Sequence, residues 1–455
     1  MKKYFLAVAS FFIYSHISLG QVYPGQMDST FVPVRSHHYD PELTFDFCVN
    51  EPAWSNQAGI HSAFGSTDRL YFRKEVPVNH DNDLSSSYST TVWRGERANA
   101  QILVWSSEAL EQVRVSTQDL RSAEGNIIPK DRITFELVRY VLSNYPYAEK
   151  KAICGESPYK SGFLMPDRFE TLDRFDLPSQ TTRPVWMMVD VPRGTVPGTY
   201  KGQVEVRAKG KAPQLLNLEI VVQNQLLPYP KDWKYRLDLW QNPWAVAWYN
   251  HVEPWSPEHK MLLKQHLKHY ADAGGTYITT YGVHSPWSDN SYMIEGGMIE
   301  WIKKADGTWA FDYKIFDEYV ELAMECGIDE AITLYTPIPW GFRHRYKDEA
   351  TGDYSYINWA PSSEEFKKMW NIFLTDFKFH LEAKSWLDIT YIGINENPME
   401  ETLAAINVVR NHDKCWKITY AGNWHKELDG LLDDYSFLYG EEPTIAEQKA
   451  RAATG

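Results

Sequence analysis

The amino-acid sequence predicts a multidomain chain, with a β-sandwich over residues 21–230 followed by a (β/α)8-type barrel over residues 231–455. In the first region, short apolar–polar alternations recur at roughly ten-residue spacing, which is typical of a sandwich. In the second region, strand patterns alternate with helical patterns, which indicates a parallel sheet. Pro228 and Pro230 separate the two rhythms, because proline ends a strand and stiffens a connection.

Length and composition narrow the class of protein. A chain of 455 residues holds about three domains, or two when one of them is a barrel of roughly 250 residues. The net charge of -14 argues against nucleic acid and anionic membranes as partners. Aromatic residues make up 15% of the chain, a surplus that suits stacking on sugar rings although core packing accounts for most of them. No cofactor is expected, and the sequence leaves the oligomeric state open.

Residues 1–20 have the pattern of a secretory signal peptide. Lys2 and Lys3 form a basic start, residues 4–17 are apolar, and small residues at Ser18 and Gly20 form a cleavage site. The apolar stretch is too short to span a membrane, and no later stretch approaches the required length of about eighteen residues. The sequence therefore predicts an exported protein, periplasmic or extracellular, without a membrane span.

Cysteine usage does not point to a metal. The four cysteines are Cys48, Cys154, Cys326 and Cys415. Their spacings are too wide and irregular for a zinc site. Export permits disulfides, and three pairings are possible if all four are oxidised. The sequence selects none of them.

The first domain is interpreted as a support without chemistry of its own. Predicted strands cover 101–105, 113–116, 134–138 and 185–189. A turn around Gly210 joins two further runs into a hairpin. A turn of helix is expected near residues 107–112. The hairpin strands are 203–207 and 216–222.

The second domain contains six strand–helix units, whereas a closed barrel of this class has eight. We therefore expect a barrel that is incomplete at its C-terminus. The predicted strands are 235–240, 277–281, 332–335, 389–394, 417–421 and 435–439. The predicted helices are 257–274, 315–326, 363–383, 399–410, 426–433 and 444–452.

The strand over 389–394 is the central candidate for chemistry. It is rich in β-branched and aromatic residues, as expected for a strand buried on both faces. It ends in Asn395-Glu396-Asn397, and Pro398 opens the next helix. Catalytic groups collect at the carboxyl ends of barrel strands, so Glu396 is the first candidate. The alternative is that Glu396 merely caps the helix and stabilises its positive end.

Six ordered motifs together resemble glycoside hydrolase family 123, the exported β-N-acetylgalactosaminidases and their relatives in Bacteroidetes. One of them is Asn395-Glu396-Asn397-Pro398-Met399-Glu400. The resemblance implies an N-terminal β-sandwich, a catalytic (β/α)8 barrel and a substrate-assisted mechanism outside the usual two-carboxylate scheme. The motifs cover residues 92–101, 237–243, 252–256, 304–313, 395–400 and 421–427.

The resemblance also implies roles for two adjacent residues. In the family an Asp holds and charge-stabilises the sugar's 2-acetamido N–H, and the Glu that follows protonates the leaving oxygen and then activates water. Here Glu396 matches the acid/base, but Asn395 replaces the Asp, and Asn397 stands where the family usually has Arg. A neutral acceptor is weaker than a carboxylate and does not balance the developing positive charge. A loss of roughly 2–4 kcal/mol, or about 10²–10³ in rate, is expected.

Further substrate-binding candidates follow the other predicted strands. For each of them, packing or loop hydrogen bonding is as plausible as ligand contact, given where barrel sites lie. Trp340 and Trp424 are the preferred stacking platforms for a sugar. The candidates are Asp238, Gln241, Asn242, His284, Trp287, Trp340, Asn397, Asn423, Trp424, His425 and Glu441.

Three functions fit these observations. The first is an exported β-N-acetylhexosaminidase of N-acetylgalactosaminidase type, a retaining enzyme weakened by Asn395. The second is a non-catalytic descendant that binds glycans. The third is hydrolysis of a sugar without a 2-acetamido group, which needs another carboxylate such as Asp238 or Glu441. In each case the partner is a glycan or glycoconjugate.

Overall fold

The computed structural model describes residues 51–77, 84–143, 163–287 and 296–438, together with 440, 443–444 and 448–449. The described residues up to Pro228 form one compact unit, and those from Tyr229 onward form a second. The predicted signal peptide, Cys48, Cys154 and Glu441 lie outside the described residues. Across these ranges, no helix has the length and apolar character needed to cross a membrane. Cys326 and Cys415 are free thiols.

The first unit consists almost entirely of strands. A short helix, α1 (Glu51–Trp54), precedes them. The strands are β1 (His61–Gly65), β2 (Ser87–Arg94), β3 (Arg97–Ser106), β4 (Leu110–Thr117), β5 (Leu120–Arg121), β6 (Ile127–Ile128), β7 (Ile133–Ser143), β8 (Phe163–Thr171), β9 (Phe175–Leu177), β10 (Thr181–Asp190), β11 (Gly198–Arg207) and β12 (Gln214–Leu226).

These strands form two sheets that share one core. One sheet has the order β1-β3-β10-β7-β8, and the other has the order β2-β12-β11-β4-β9, with β5 attached to β11 and β6 attached to β5. Ile102 and Met187 of the first sheet and Val204 and Ile220 of the second belong to the same buried cluster. Alternating inward side chains from both sheets therefore build a sandwich core, as the sequence predicted.

The local predictions for the first unit are confirmed with one exception. The predicted hairpin is the antiparallel pair β11–β12, and Gly210 takes a positive φ of 71° in its turn. The helical turn near residues 107–112 is wrong, because β4 already begins at Leu110. Leu110 and Val113 are buried and pair with β9, so pairing with a neighbouring strand overrides the local helical tendency.

The second unit alternates strands and helices. The helices are α2 (Pro243–Asn250), α3 (Pro257–Asp272), α4 (Lys314–Glu325), α5 (Glu364–Lys384) and α6 (Met399–His412). The strands are β13 (Tyr277–Tyr281), β14 (Glu300–Lys303), β15 (Trp309–Asp312), β16 (Ala331–Tyr335), β17 (Arg343–Asp348), β18 (Tyr354–Asn358), β19 (Thr390–Ile394), β20 (Lys417–Gly422) and β21 (Asp434–Phe437).

Five of the six predicted strands form a parallel sheet in the order β13-β16-β19-β20-β21. Residues at the carboxyl ends of the strands lie side by side in this register, with Tyr335 opposite Gly393 and Ile394 opposite Tyr420. All five residues of β13 and of β16 are buried, as expected when helices cover both faces of a parallel sheet. The parallel sheet is thus confirmed, and its closure into a barrel stays a prediction.

The first predicted strand, 235–240, is wrong. Only Leu237 pairs, through a single parallel bridge to Gly275. Next to it, the side chain of Gln241 replaces backbone pairing, because its Oε1 accepts a hydrogen bond from the Thr279 N–H at 2.8 Å. A side chain that binds the strand in this way competes with the regular ladder.

The predicted helix over 426–433 is also wrong. Only a 3-10 turn, Lys426–Leu428, forms there. Gly430 follows with a φ of 74°, a left-handed conformation that ends a helical path. The last predicted helix, 444–452, lies mostly outside the described residues.

A second sheet of four strands, β15-β14-β17-β18, is an element that the sequence did not predict. Trp301 on β14 anchors it, since its ring stacks on Phe373 of α5 with centroids 4.8 Å apart. The same indole donates its N–H to the Gly282 carbonyl at 2.8 Å. His344 on β17 accepts a hydrogen bond from the Trp370 indole of α5 at 3.2 Å, and burial lowers the pKa of His344 to about 4. The sheet is therefore fixed to α5 and to the end of β13.

Two carboxylates lie close together inside the second unit. Asp434 on β21 lies 4.0 Å from the guanidinium of Arg236 and accepts a hydrogen bond from the Thr419 hydroxyl at 3.2 Å. One oxygen of Asp238 is buried without a hydrogen-bond partner among the described residues. Burial, with a smaller contribution from the negative charge of Asp434, raises the pKa of Asp238 to about 6.

We predict that Asp238→Asn stabilises the second unit at neutral pH but not in acid. A carboxyl whose pKa is raised by folding costs stability as pH rises from about 4 to about 6, because the folded state resists ionisation. The variant should gain roughly 1–3 kcal/mol relative to the parent at pH 8 and nothing at pH 4. The measurement is the Tm from calorimetry at both pH values. Asp329→Asn, a change at an exposed aspartate, is the control, and an equal Tm shift at both pH values would contradict the prediction.

Candidate active site

The loop after β19 carries the central candidates and is held against the end of β16. The Asn395 N–H donates to Thr336 Oγ1 at 3.2 Å, and the Asn397 side chain donates to the Ile338 carbonyl at 3.1 Å. The Thr402 hydroxyl of α6 donates to the Asn397 carbonyl at 3.1 Å. These bonds fix the backbone on both sides of Glu396.

Asn395 is 4% exposed, and its two side-chain atoms have different environments. Its Oδ1 accepts a hydrogen bond from the Glu396 N–H at 3.0 Å. Its Nδ2 is buried and has no hydrogen-bond partner among the described residues. Because the backbone N–H of Glu396 requires an acceptor, the amide is held with its oxygen toward Glu396, and an N–H donor is the group left over.

Glu396 is exposed at the carboxyl end of the sheet. Its Oε1 accepts a long hydrogen bond from the Asn423 N–H, at 3.4 Å, in the loop after β20. No side chain caps the N-terminus of α6, so capping does not explain this carboxylate. Burial raises the pKa of the neighbouring Tyr420, and the negative charge of Glu396 raises it further.

Tyr435 organises the loop that carries Asn423, Trp424 and His425. Its hydroxyl donates to the Asn423 carbonyl and accepts from the His425 N–H, both at 2.7 Å. The Trp424 ring stacks on the Tyr435 ring with centroids 5.3 Å apart and meets Phe437 edge-on at 5.9 Å. A tryptophan supported from behind in this way is suited to receive the apolar face of a sugar.

A second aromatic group, the Trp240 cluster, lies at the ends of β13 and β16. It consists of Trp240, Tyr281, Trp287 and Tyr335. The Trp240 and Trp287 rings stack with centroids 5.4 Å apart, and the Tyr335 ring meets Trp240 edge-on with centroids 4.7 Å apart. Trp240 remains 45% exposed. The sequence therefore placed Trp287 correctly next to the strand end, although it overlooked Trp240 as the more exposed ring.

His284 and Trp340 belong to loops that touch each other. The Trp340 backbone N–H donates to the Pro286 carbonyl at 3.0 Å. Burial, together with the positive charges of Arg345 and Arg343, lowers the pKa of His284 to about 4. His284 is therefore neutral at pH 7, where it can accept or donate one hydrogen bond but does not act as a cation.

Three candidates after the first predicted strand have structural partners. Asn242 caps α2, since its Oδ1 accepts from the Ala245 N–H at 3.2 Å. Gln241 binds β13 through Thr279 and also contacts the Leu239 carbonyl. Asp238 lies with Asp434 rather than in the Glu396 loop, and Glu441 lies outside the described residues.

Sequence reasoning missed Thr336, Tyr435 and Tyr335, which support the site from neighbouring strands. Their side chains act on residues far away in sequence, as Thr336 does on Asn395. Only the register of the parallel strands brings them together. The one signal available in the sequence was their position at or next to a predicted strand of the sheet.

The arrangement can carry out proton transfer to and from a bound sugar. It offers one solvent-facing carboxylate, an amide beside it and a supported tryptophan on the adjacent loop. Such a carboxylate can act as general acid and then as general base when a glycosidic oxygen lies within hydrogen-bond reach. No group of three or more His, Cys, Asp or Glu side chains suited to a metal ion occurs in the described ranges.

Comparison with known proteins identifies the family of both regions. The model of the glycoside hydrolase 123 catalytic domain matches residues 240–455, and that of the glycoside hydrolase 123 N-terminal domain matches residues 64–208. A family 123 glycoside hydrolase from Clostridium perfringens, studied for glycolipid glycan hydrolysis, has a similar structure with a TM-score of 0.76 and 25% identity, over 88% of this chain and 71% of that one.

Other similarities are weak. The PapD-like domain of human CEP192 has a TM-score of 0.18 and 11% identity, over 41% of this chain and 99% of that one. A Bacteroides ovatus GH5 xyloglucanase has a TM-score of 0.16 and 9% identity, over 80% of this chain and 57% of that one. Curated protein sequences give no match. The two family models and the similar structure agree, and the chain belongs to glycoside hydrolase family 123.

Proposed function

We propose that this family 123 member is an exported β-N-acetylhexosaminidase of N-acetylgalactosaminidase type, with Glu396 as its acid and base. The observation that carries the proposal is the exposed Glu396 carboxylate, whose contact is with the loop after β20 rather than with the end of α6. Hydrolysis of glycolipid glycans by the Clostridium perfringens relative supports a glycan as substrate.

In the proposed mechanism, the sugar's acetamido oxygen attacks the anomeric carbon while Glu396 gives its proton to the leaving oxygen. Water then attacks the anomeric carbon of the oxazolinium-like intermediate and loses a proton to Glu396, which restores the starting state. Trp424 stacks on the sugar, and Asn423 holds the Glu396 carboxylate. The remaining task is to orient the acetamido group, and that task falls to Asn395.

Asn395 performs this task poorly for a physical reason. Its Oδ1 is engaged by the Glu396 N–H, and its remaining side-chain group, Nδ2, is a donor, whereas the acetamido N–H requires an acceptor. A donor cannot replace that acceptor, and a neutral amide does not balance the positive charge of the intermediate. We therefore propose weak hydrolysis of N-acetylhexosaminides by the natural sequence.

The lack of a suitable acceptor at Asn395 favours a second candidate function, glycan binding without catalysis. Trp424 and the Trp240 cluster could retain a sugar even when the acetamido group is not activated. The two functions differ in what Glu396 contributes, because binding by aromatic stacking does not require its proton.

We predict that Asn395→Asp raises kcat by about 10²–10³ on aryl N-acetyl-β-galactosaminides, because it supplies an acceptor and a negative charge. Initial rates of aryl release measure the effect. Asn407→Asp, which adds the same charge at an exposed position of α6, is the matched control and should give no increase. In the Asn395→Asp background, Glu396→Gln should remove the gain.

Absence of hydrolysis by both the natural protein and Asn395→Asp would overturn the glycosidase proposal. Calorimetric titration with N-acetylgalactosamine oligosaccharides then separates the alternatives. Binding that is unchanged by Glu396→Gln would assign the protein to glycan recognition.

Tyr435→Phe should lower kcat by about tenfold in the Asn395→Asp background, with KM nearly unchanged. The substitution keeps the ring under Trp424 but removes two hydrogen bonds, each worth about 1 kcal/mol, that hold the loop beside Glu396. Steady-state kinetics provide the measurement. Tyr391→Phe removes a hydroxyl from the same sheet away from this loop, and an equal loss in that variant would argue against the positioning role.

A further inference from the structure

The β17–β18 hairpin has two different faces. Its inner face carries His344 and Ile357, which lie directly opposite each other in the pair. His344 is buried against Trp359 with ring centroids 4.8 Å apart and bonded to Trp370. Because side chains alternate along a strand, the residues at the intervening positions point away from this core. They form a surface that we call the cationic face: Arg343, Arg345, Lys347, Tyr354, Tyr356 and Asn358.

The two arginines of the cationic face lie on tyrosine rings. The Arg343 guanidinium is 3.9 Å from the Tyr356 ring centroid, and that of Arg345 is 4.2 Å from the Tyr354 centroid. Tyr354 and Tyr356 remain 50% and 49% exposed. A guanidinium that lies over a ring uses its flat face and leaves its in-plane N–H donors available. The stacking therefore orients these N–H donors and leaves them available to a ligand.

The positive charge of the cationic face is only partly compensated. Glu300 lies 3.8 Å from Arg345 and accepts a hydrogen bond from the Tyr354 hydroxyl at 3.0 Å. In the part of the chain that the structure describes, Arg343 and Lys347 have no carboxylate within ion-pair distance, and the Nε of Arg345 is buried without a hydrogen-bond partner. The carboxylates of the hairpin itself, Asp348, Glu349 and Asp353, lie at and near its turn, so its positive charge is confined to the cationic face.

The cationic face lies close to the candidate active site. The segment from Thr336 to Arg343 runs directly from the end of β16 into β17, and on its way Ile338 accepts the bond from Asn397. Trp340 on the same segment contacts the loop that carries His284. The charges of both arginines act on His284. A glycan that enters the site can therefore extend over this hairpin.

We propose that the cationic face of the β17–β18 hairpin binds the carboxylate of an acidic sugar in the same glycan, with Arg343 as its main ligand. The two parallel N–H groups of a guanidinium match the two oxygens of a planar carboxylate. Charge complementarity selects an anionic ligand, and the exposed tyrosine edges provide contact for the sugar ring. The inference deepens the proposed function and rests on it in taking a glycan as the ligand.

The test is calorimetric titration of the full chain with sialyllactose, which carries a carboxylate, with neutral lactose and with sulfated lactose. We expect sialyllactose to bind about tenfold more tightly than lactose or sulfated lactose. Arg343→Gln should abolish this preference. Arg343→Lys should retain only part of it, because lysine keeps the charge but loses the paired donors. Lys304→Gln, in the turn between β14 and β15, removes an equal charge outside the cationic face and should retain it fully.

Equal binding of lactose and sialyllactose, or a preference that survives Arg343→Gln, would overturn the proposal. Equal binding of the sulfated and carboxylated sugars would overturn the selection of a carboxylate. Because calorimetry measures binding without turnover, this result is independent of whether the protein hydrolyses N-acetylhexosaminides. Near-ultraviolet circular dichroism of each variant verifies that loss of binding does not reflect loss of fold.

Discussion

The site depends on the register of the parallel strands β16, β19, β20 and β21. This register places the loops after the strands at one edge of the sheet, although they come from separate parts of the chain. Tyr335 lies opposite Gly393, where a Cβ atom would lie 2.9 Å from the Tyr335 ring. The absence of a side chain at position 393 lets that ring lie across β19 and support Trp240. Packing inside the sheet thus determines which aromatic groups reach the surface.

Most of the fold follows from periodicity because the elements concerned are buried. The strand at 277–281 and the helix at 315–326 were predicted to within a residue or two, since each presents apolar side chains to a core. The β17–β18 hairpin was missed for the opposite reason. Its outward positions carry arginine, lysine and tyrosine, and its inward face relies on His344, so its polarity resembles that of a loop. That histidine is buried by contacts with Trp359 and with Trp370, which is distant in the sequence.

Single candidate residues could be proposed from the sequence, but contacts between residues far apart in the sequence could not. Glu396 could be proposed because a carboxylate follows a buried strand. The role of Tyr435 could not, because its two hydrogen-bond partners are set by the twist and register of β20 and β21. Gln241 and Asn242, proposed as substrate ligands from their positions, have structural partners, since their side chains provide a strand contact and a helix cap. Short polar side chains near strand ends serve both purposes.

Trp301 joins the four-stranded sheet to the parallel sheet, through its stacking on Phe373 and its hydrogen bond to Gly282. Both contacts fix β14, the neighbour of β17, to α5 and to the residue that follows β13. A ligand bound on the hairpin would then be connected, through Trp301, to the end of β13. Binding at a remote point of a long ligand raises the effective concentration of its other end. If one end of a glycan binds to the hairpin as proposed, the buried Trp301 indole would help to orient its other end at the strand ends of the parallel sheet.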